Sequence, residues 1–172
     1  MNFTIRKMSA DDLAAVMRIQ EDAYARHFLE SPDIIAQRFN LSPDTAWVAE
    51  RNLEVCAYLV GYWSQVGKVN PLHAPFSVVE NADCLYLHDL ALLASAQGSG
   101  LAKKLIEIAT EYAIQSSVKS LALLSVQNSK AFWQKFGFVE IDGLDQSQHQ
   151  HLAAYHNAEE LAYYMIKFIA LK

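Results

Sequence analysis

The chain has few cysteines, no long hydrophobic run and no block of basic residues. Cys56 and Cys84 are the only cysteines, and each lies inside an apolar run, which favours buried thiols over a disulfide framework. No apolar stretch reaches about 18 residues, the length that favours a membrane-spanning helix, and the first residues lack the apolar core of a signal peptide. We therefore expect a soluble, cytoplasmic protein that does not insert into a membrane.

The charge balance argues against nucleic acid as the main partner. The sequence has 14 Lys and Arg against 19 Asp and Glu, a net charge of -5 at pH 7, and no run of five basic residues. Such a chain lacks the electrostatic footprint that phosphate backbones require. With 172 residues, of which 52% are hydrophobic, it is long enough for one domain with a sizeable core, which we expect to cover residues 1–172.

Hydrophobic periodicity predicts elements in the order β-α-α-β-β-β-α-β-α-β-β, an α/β (α+β) arrangement. Ser9 and Asp12 have the spacing of a capping box at the start of the first helix. The runs AWVAE and EVCAYLVGYW, separated by three residues, predict a β-hairpin. Residues 64–83 contain two prolines and no sustained period, which predicts a long loop, and residues 142–157 are expected to form an exposed excursion.

A glycine-bearing turn, AQGSGLAKK, joins a predicted buried strand to a predicted amphipathic helix. A helix N-terminus carries unpaired backbone N–H groups and a partial positive charge, so it is suited to binding an anion. Gly98 and Gly100 allow close backbone approach, and Lys103 and Lys104 add charge. The spacing fits neither a P-loop nor G-x-G-x-x-G, which has Gly where this chain has Lys103. A purely structural tight turn stays open as the alternative.

The stretch Gln97-Gly98-Ser99-Gly100-Leu101-Ala102 resembles the Q/R-x-x-G-x-G/A motif of the GNAT superfamily of N-acetyltransferases. SVQNSKAFWQKFGFVEI resembles the later motif of that family, in which a strand, a short helix and a Gly-Phe turn follow one another. The order of elements agrees along nearly the whole chain. The resemblance implies a mixed, mostly antiparallel sheet flanked by helices, with strands four and five splayed apart.

The resemblance also implies acetyl-CoA as the acyl donor and coenzyme A as a product. The backbone of the glycine turn would hold the pyrophosphate, and the fourth strand would pair with the pantetheine arm. Asn128 matches a frequent coenzyme contact, although it is equally suited to cap the following helix. The coenzyme-binding residues implied are Leu90, Ala91, Leu92, Leu93, Gln97, Gly98, Ser99, Gly100, Leu101, Ala102, Lys103, Asn128 and Trp133.

Amine acetylation needs a base for the ammonium and benefits from an acid for the thiolate. His88, on the strand that would flank the thioester, is the predicted base; the alternative is a core-edge histidine paired with another polar group. Asp89 would face away from it unless the strand is bulged. Trp133 replaces the Tyr that many family members use as the acid, and an indole cannot supply that proton. Tyr155 is the predicted acid, with Tyr163 and Tyr164 as alternatives.

The acceptor in this fold usually meets the segment between the first two helices and the loop after the third strand. Here these segments supply Phe28, Glu30, Trp63 and Phe76, which suit an amine on a small or medium apolar body. Plain core-edge packing is the alternative interpretation of all four residues. We expect a small-molecule amine, while a protein N-terminus stays open. His149, His151 and His156 lack the framing acids or cysteines of a metal site, so no metal is predicted.

Two functions of different classes are consistent with the sequence. The first is an acetyl-CoA-dependent N-acetyltransferase that works by direct attack of the amine in a ternary complex. The second is an acyl-CoA-binding sensor or interaction domain without turnover, which the absence of Tyr at Trp133 motivates. Acyl groups longer than acetyl are compatible with both. The apolar run LAYYMIKFIAL allows a homodimer through the last strands but does not require one.

Overall fold

The computed structural model describes residues 3–157 and 160–169, and one seven-stranded sheet runs through them. Its spatial order is β1-β2-β3-β4-β5-β7-β6, with β4 and β5 parallel and every other neighbouring pair antiparallel. The predicted mixed, mostly antiparallel sheet is therefore confirmed. The strands are β1 (Thr4–Lys7), β2 (Ala46–Arg51), β3 (Glu54–Ser64), β4 (Cys84–Leu92), β5 (Ser120–Ser125), β6 (Val139–Glu140) and β7 (Tyr163–Phe168).

Within the described ranges, five α-helices connect the strands: α1 (Leu13–Ala23), α2 (Pro32–Leu41), α3 (Leu101–Gln115), α4 (Lys130–Gln134) and α5 (Gln146–Ala153). The predicted capping box precedes α1, where the Asp12 carboxylate accepts a hydrogen bond from the Ser9 backbone N–H at 2.7 Å. Ser31 caps α2 by accepting from the Ile34 N–H, and Pro32 occupies its first turn, where no N–H is needed. The longest helix has 15 residues, and none in the described part of the chain has the length and hydropathy of a membrane span.

The helices cover both faces of the sheet because neighbouring strand residues point to opposite sides. Trp47 packs in the cluster that contains Leu105 of α3, whereas Val48 packs in the cluster that contains Ile19 of α1. Each such side chain is fully or almost fully buried, which stabilises the fold by about 1.5–3 kcal/mol per large apolar residue. The two cysteines are buried and unpaired, as predicted.

Residues 142–157 differ from the prediction of an exposed excursion. Asp145 begins α5 by accepting a hydrogen bond from the Gln148 N–H at 3.0 Å, and the Gln148 side chain in turn accepts from the Val69 N–H at 2.7 Å. Leu144 and Tyr155 are buried against the same segment. The prediction of residues 64–83 as a loop is confirmed, and α5 packs on that loop. Three widely spaced apolar residues among His and Gln were too weak a signal for a packed helix.

Strands β4 and β5 pair over three residues only. Cys84, Leu85 and Tyr86 lie opposite Ser120, Leu121 and Ala122, after which β4 continues to Leu92 without a partner on that side. The predicted splay is thus present. It coincides with a bulge: Val60 of β3 pairs with Asp89, whereas the next residue, Gly61, pairs with Leu87, so His88 is the extra residue.

Gly61 is required for the close approach of β3 to this bulge. A Cβ atom built on Gly61 would lie 2.7 Å from the backbone oxygen of Tyr86, closer than real contacts allow. We expect Gly61→Ala to lower the free energy of unfolding by roughly 1–3 kcal/mol, the usual cost of overpacking. Urea denaturation followed by circular dichroism measures this difference. Glu54→Ala, at the exposed start of β3, is the control. An unchanged urea midpoint for Gly61→Ala would show that the backbone at the bulge shifts to accept the Cβ atom without loss of stability.

Candidate active site

A cleft with a volume of about 440 Å³ lies where β4 and β5 part. One end is formed by the glycine turn before α3, and the walls are the free edge of β4, the end of β5 and the aromatic side chains of α4. The other end lies under the segment that joins α1 to α2. Residues along its length include Gln97, Gly98, Ala102, Leu87, Leu90, Ala91, Leu92, Leu124, Val126, Phe132, Trp133, Phe28, Glu30, His88, Asp89 and Tyr155.

The glycine turn has the geometry of an anion site. Gly98 and Gly100 have φ values of 70° and 80°, in the left-handed region, and a Cβ on either would meet no atom within 4 Å. The helical bonding of α3 begins only with the Lys104 N–H, which donates to the Gly100 oxygen at 3.2 Å, so the preceding N–H groups keep the partial positive charge of a helix N-terminus. Ser99 secures the turn by donating its hydroxyl to the Ala96 oxygen at 2.6 Å. The turn therefore has both the charge and the open space that a phosphate group requires.

The other residues predicted for the coenzyme divide into two groups. Leu90, Ala91, Leu92 and the buried Trp133 line the cleft, and Trp133 packs edge-on against Phe138. Six lie outside its lining: Ser99 and Gly100 of the turn, and four others with different contacts. The Leu93 N–H donates to the Cys56 oxygen at 2.9 Å, the Leu101 side chain is in the core, the exposed Lys103 is 3.6 Å from Glu107, and the Asn128 amide donates to Glu160 at 2.7 Å.

The alternative role of Asn128, as the N-cap of α4, is wrong, because Ser129 occupies the N-cap position of this helix. Gln127 and Ser129, on either side of Asn128, do line the cleft. Gln127 bridges its mouth: the side-chain oxygen accepts from the Ala25 N–H at 2.7 Å, and the side-chain nitrogen donates to the Ala23 oxygen at 3.2 Å. This link between the end of β5 and the end of α1 has no sequence signal, since it joins residues about a hundred positions apart.

Three of the four predicted acceptor residues are brought into one region, and Trp63 is not. Phe28 and Glu30 line the far end of the cleft. Phe76 is buried behind them, stacked on Tyr62 with ring centroids 4.4 Å apart. The prediction for Trp63 is wrong: it stacks on Tyr112 of α3, 5.8 Å between centroids, because strand alternation sends Tyr62 toward the cleft side and Trp63 toward the α3 side.

His88 lies in a buried polar network rather than free at the cleft wall. Nη1 of Arg38 in α2 is 2.7 Å from its Nε2 and also donates to Oε2 of Glu30. A guanidinium group can only donate, so Nε2 must accept and the ring proton must be on Nδ1. Burial, and then the nearby Arg38 charge, lower the pKa of His88 well below its usual value of 6.5. His88 is therefore neutral and has no free lone pair, which argues against the predicted role as base and agrees with the alternative of a buried, paired histidine.

The bulge at His88 does not create a His–Asp relay. The Asp89 carboxylate accepts from the hydroxyl of Tyr24 and, at 2.5 Å, from that of Tyr58. Burial and the Asp89 charge raise the pKa of both phenols well above 10, so both keep their protons. Asp89 is therefore engaged by two neutral phenols, and its formal negative charge lies at this end of the cleft.

Glu30 is the second carboxylate in the lining of the cleft, beside Asp89. Gln20 of α1 holds its backbone at two points: the side-chain nitrogen donates to the Glu30 oxygen at 2.8 Å, and the side-chain oxygen accepts from the Glu30 N–H at 3.1 Å. Among the described residues, two buried polar atoms have no hydrogen-bond partner, Glu30 Oε1 and Arg38 Nη2, and only Glu30 lines the large cleft. Two carboxylates, Glu30 and Asp89, oppose the single charge of Arg38, so this end has an excess negative charge that favours a cation.

Sequence reasoning found Glu30 but missed Gln20 and Arg38, which position it. The available signal was a polar residue on an otherwise apolar helix face, since Gln20 follows Val16 and Arg38 follows Ile35 at helical spacing. Both residues are buried, with exposed fractions of 2% and 3%. A buried Arg in a short helix indicates a buried partner, although the sequence does not identify which one.

Of the three tyrosines considered as the acid, Tyr155 lines the cleft and the other two lie elsewhere. Its hydroxyl donates to the Asn70 oxygen at 2.8 Å, and burial, partly offset by Arg38, raises the pKa of Tyr155 to about 12. Tyr163 lies under the Lys130 ammonium, and the Tyr164 hydroxyl accepts from the Gly67 N–H. Tyr155 stays protonated near neutral pH and can donate a hydrogen bond, and its role as an acid stays a prediction.

His88 should make folding stability depend on pH. Because the folded protein holds His88 neutral, the unfolded chain binds one more proton below about pH 6.5, and protonation then favours unfolding. We expect the free energy of unfolding to fall as the pH is lowered from about 6.5, with a slope of up to about 1.4 kcal/mol per pH unit from this group. Urea denaturation between pH 7 and pH 5 measures the slope, which should be shallower in His88→Gln. Equal slopes for the two proteins would contradict the buried neutral state.

The sequence model described as "Acetyltransferase (GNAT) family" matches residues 13–138, which is most of the chain. A comparison with curated proteins finds no match.

Several solved structures have the same fold at low sequence identity. The loading GNATL domain of CurA from Lyngbya majuscula superposes with a TM-score of 0.75 and 12% identity, over 98% of both chains. The ribosomal-protein-S18-alanine N-acetyltransferase from Escherichia coli has a TM-score of 0.70 and 19% identity, over 99% of this chain and 96% of the other. A structure described as a putative phosphinothricin N-acetyltransferase has a TM-score of 0.68 and 15% identity, over 98% and 99%. Together with the family match, the splayed strands and the glycine turn at the head of the cleft show that this chain belongs to the GNAT acetyltransferase family.

Proposed function

We propose that this protein transfers the acetyl group of acetyl-CoA to the amine of a small molecule by direct attack in a ternary complex. One observation carries the proposal: a single cleft is lined at one end by the turn before α3, with its partial positive charge, and at the other by Glu30, whose Oε1 accepts no hydrogen bond. The first is suited to a polyanionic donor and the second to a cationic acceptor. Acetyl-CoA, when bound, supplies the reactive thioester between them.

The residues of the chain fit the coenzyme on structural grounds. The open turn of Gly98 and Gly100 would receive the pyrophosphate, since no side chain fills the space that a Cβ would enter. The β4 edge from Leu90 to Leu92 has no strand partner on the cleft side. The Leu90 oxygen accepts from the Tyr24 hydroxyl at 3.2 Å, and the other backbone groups of this edge are available to the amides of the pantetheine arm. Trp133 and Val126 provide apolar walls.

Glu30 would receive the acceptor. Its Oε1 needs a donor and the surrounding charge is negative, so an ammonium group is stabilised there, while Phe28, Leu72 and Tyr155 contact an apolar body. Glu30 would then take the proton that the amine must lose before attack. In this proposal Glu30 replaces His88 as the base, and His88 instead helps Arg38 to orient the Glu30 carboxylate.

The closed shape of the acceptor end favours a small molecule over a polypeptide. The Gln127 bridge joins β5 to the segment after α1, and Arg38 joins α2 to the long loop by donating from Nε to the Ala74 oxygen at 2.9 Å. An extended peptide would need a groove that continues past these links. Structural neighbours include proteins described as acting on a ribosomal protein and on phosphinothricin, so the fold alone does not distinguish the two classes.

Gly100→Val should weaken acetyl-CoA binding, because a branched side chain would occupy the open space of the turn and force a residue with a Cβ into the left-handed region. We expect the dissociation constant measured by calorimetric titration to rise at least about tenfold, equivalent to about 1.4 kcal/mol. Gly143→Val is the matched control, since Gly143 has a φ of 95° and equally open surroundings but lies before α5, outside the glycine turn. Equal effects of the two variants on binding would contradict the assignment of the turn.

Glu30→Gln should separate binding from turnover. Glutamine keeps an oxygen that can accept from Arg38 but cannot take a proton from the amine, so we expect kcat/KM for the amine to fall roughly 100-fold while acetyl-CoA affinity is retained. Thiol release across a panel of primary amines measures the rate, with Glu21→Gln on the exposed face of α1 as the control. Coenzyme binding without thiol release for any amine in the wild-type protein would favour the non-catalytic sensor, and full activity of Glu30→Gln would remove Glu30 as the base.

A further inference from the structure

If the proposed acetylation is correct, the site must release one proton to solvent in each turnover. An ammonium group that becomes an amide loses two protons. One ends on the thiolate of coenzyme A, and the other must reach solvent in every turnover. Glu30 would take that proton first, yet its side chain is only 9% exposed, so it has poor access to bulk water.

His73 lies between Glu30 and the solvent. Its Nδ1 is 3.7 Å from Oε1 of Glu30, the oxygen that has no other partner, and its side chain is 47% exposed. The preceding residue, Leu72, lines the cleft, and the exposed ring of His73 approaches Glu30 from outside that lining. In the described part of the chain, His73 is the basic side chain that pairs with Oε1, whereas Arg38 and His88 both approach Oε2.

The backbone holds His73 in place despite a local strain. His73 has a φ of 59°, in the left-handed region that residues other than Gly, Asn, Asp and His seldom adopt. The turn around it is fixed by the Ala74 N–H, which donates to the Pro71 oxygen at 3.2 Å, and by the Ala74 oxygen, which accepts from Arg38 and from the Asn70 amide at 3.2 Å. Strained residues that are fixed in this way are concentrated at functional sites.

We propose that His73 relays the amine proton from Glu30 to solvent. The O–H bond of the protonated Glu30 breaks as a bond forms from its proton to the Nδ1 lone pair of His73. The imidazolium then loses its Nε2 proton to water, and exchange of the ring protons with water restores a free lone pair at Nδ1. The distance between Nδ1 of His73 and Oε1 of Glu30 is too short for a water molecule to lie between them. It exceeds the length of a hydrogen bond by about 1 Å, which a rotation of either side chain covers.

The other titratable or charged groups around Glu30 cannot do this. Arg38 does not release its proton, and the only lone pair of the His88 ring accepts from Arg38. Asp89 is engaged by Tyr24 and Tyr58, and the hydroxyl of Tyr155 donates to the Asn70 oxygen. His73 alone combines an ionisable ring, proximity to Oε1 and exposure among the residues that the structure describes.

The test is His73→Asn, because Asn tolerates the left-handed backbone and has no ring to carry a proton. With an amine that the wild-type protein acetylates, we expect kcat to fall about tenfold or more, with KM for the amine and the affinity for acetyl-CoA unchanged. Added imidazole should restore kcat in a concentration-dependent manner. His149→Asn, at an exposed position of α5, should behave as the wild type in every measurement.

Each outcome has a distinct meaning. Wild-type kcat in His73→Asn would overturn the relay, as would a lowered kcat that imidazole does not restore, since that pattern indicates a structural role for His73. A thermal denaturation curve of the variant shows whether the fold is intact before the kinetics are compared. If the wild-type protein acetylates no amine, the proposed function itself fails, whereas turnover that is insensitive to His73→Asn overturns only the relay.

Discussion

The parting of β4 from β5 is the constraint on which the rest of the site depends. The two strands are hydrogen-bonded at three consecutive residue pairs, and the extra residue at His88 then turns β4 away from its neighbour. A sheet interior normally satisfies every backbone group, so an interruption at its centre is stable only where something else can occupy the gap. The cleft, the exposed edge of β4 and the approach to the glycine turn all follow from this interruption.

Arg38 has the corresponding role among the side chains. Its guanidinium contacts Glu30, His88 and the loop oxygen of Ala74, and it lies over the ring of Phe76. A buried charge with so many partners is costly to desolvate, and the benefit is one defined arrangement of the groups around it. The orientation of Glu30 follows from its position, and its charge adds to the effect of burial in keeping His88 neutral.

The sequence predicted the sheet, the helices around it and the glycine turn, because these have local signals: alternation, helical spacing, a capping box and two closely spaced glycines. It predicted only part of the site. The His88 bulge cannot be recognised in a continuous apolar strand, Trp63 was assigned to the wrong face, and the Arg38 and Gln127 contacts join residues that are distant along the chain. Helix α5 was missed because its few apolar residues are diluted by His and Gln.

The Gln127 bridge makes the two halves of the cleft mechanically dependent on one another. It ties the end of β5, which carries the apolar wall at Val126, to the connector that carries Phe28 and Glu30. Neither side can move away from the other without breaking both hydrogen bonds, so this one side chain sets the spacing between the apolar wall and the connector.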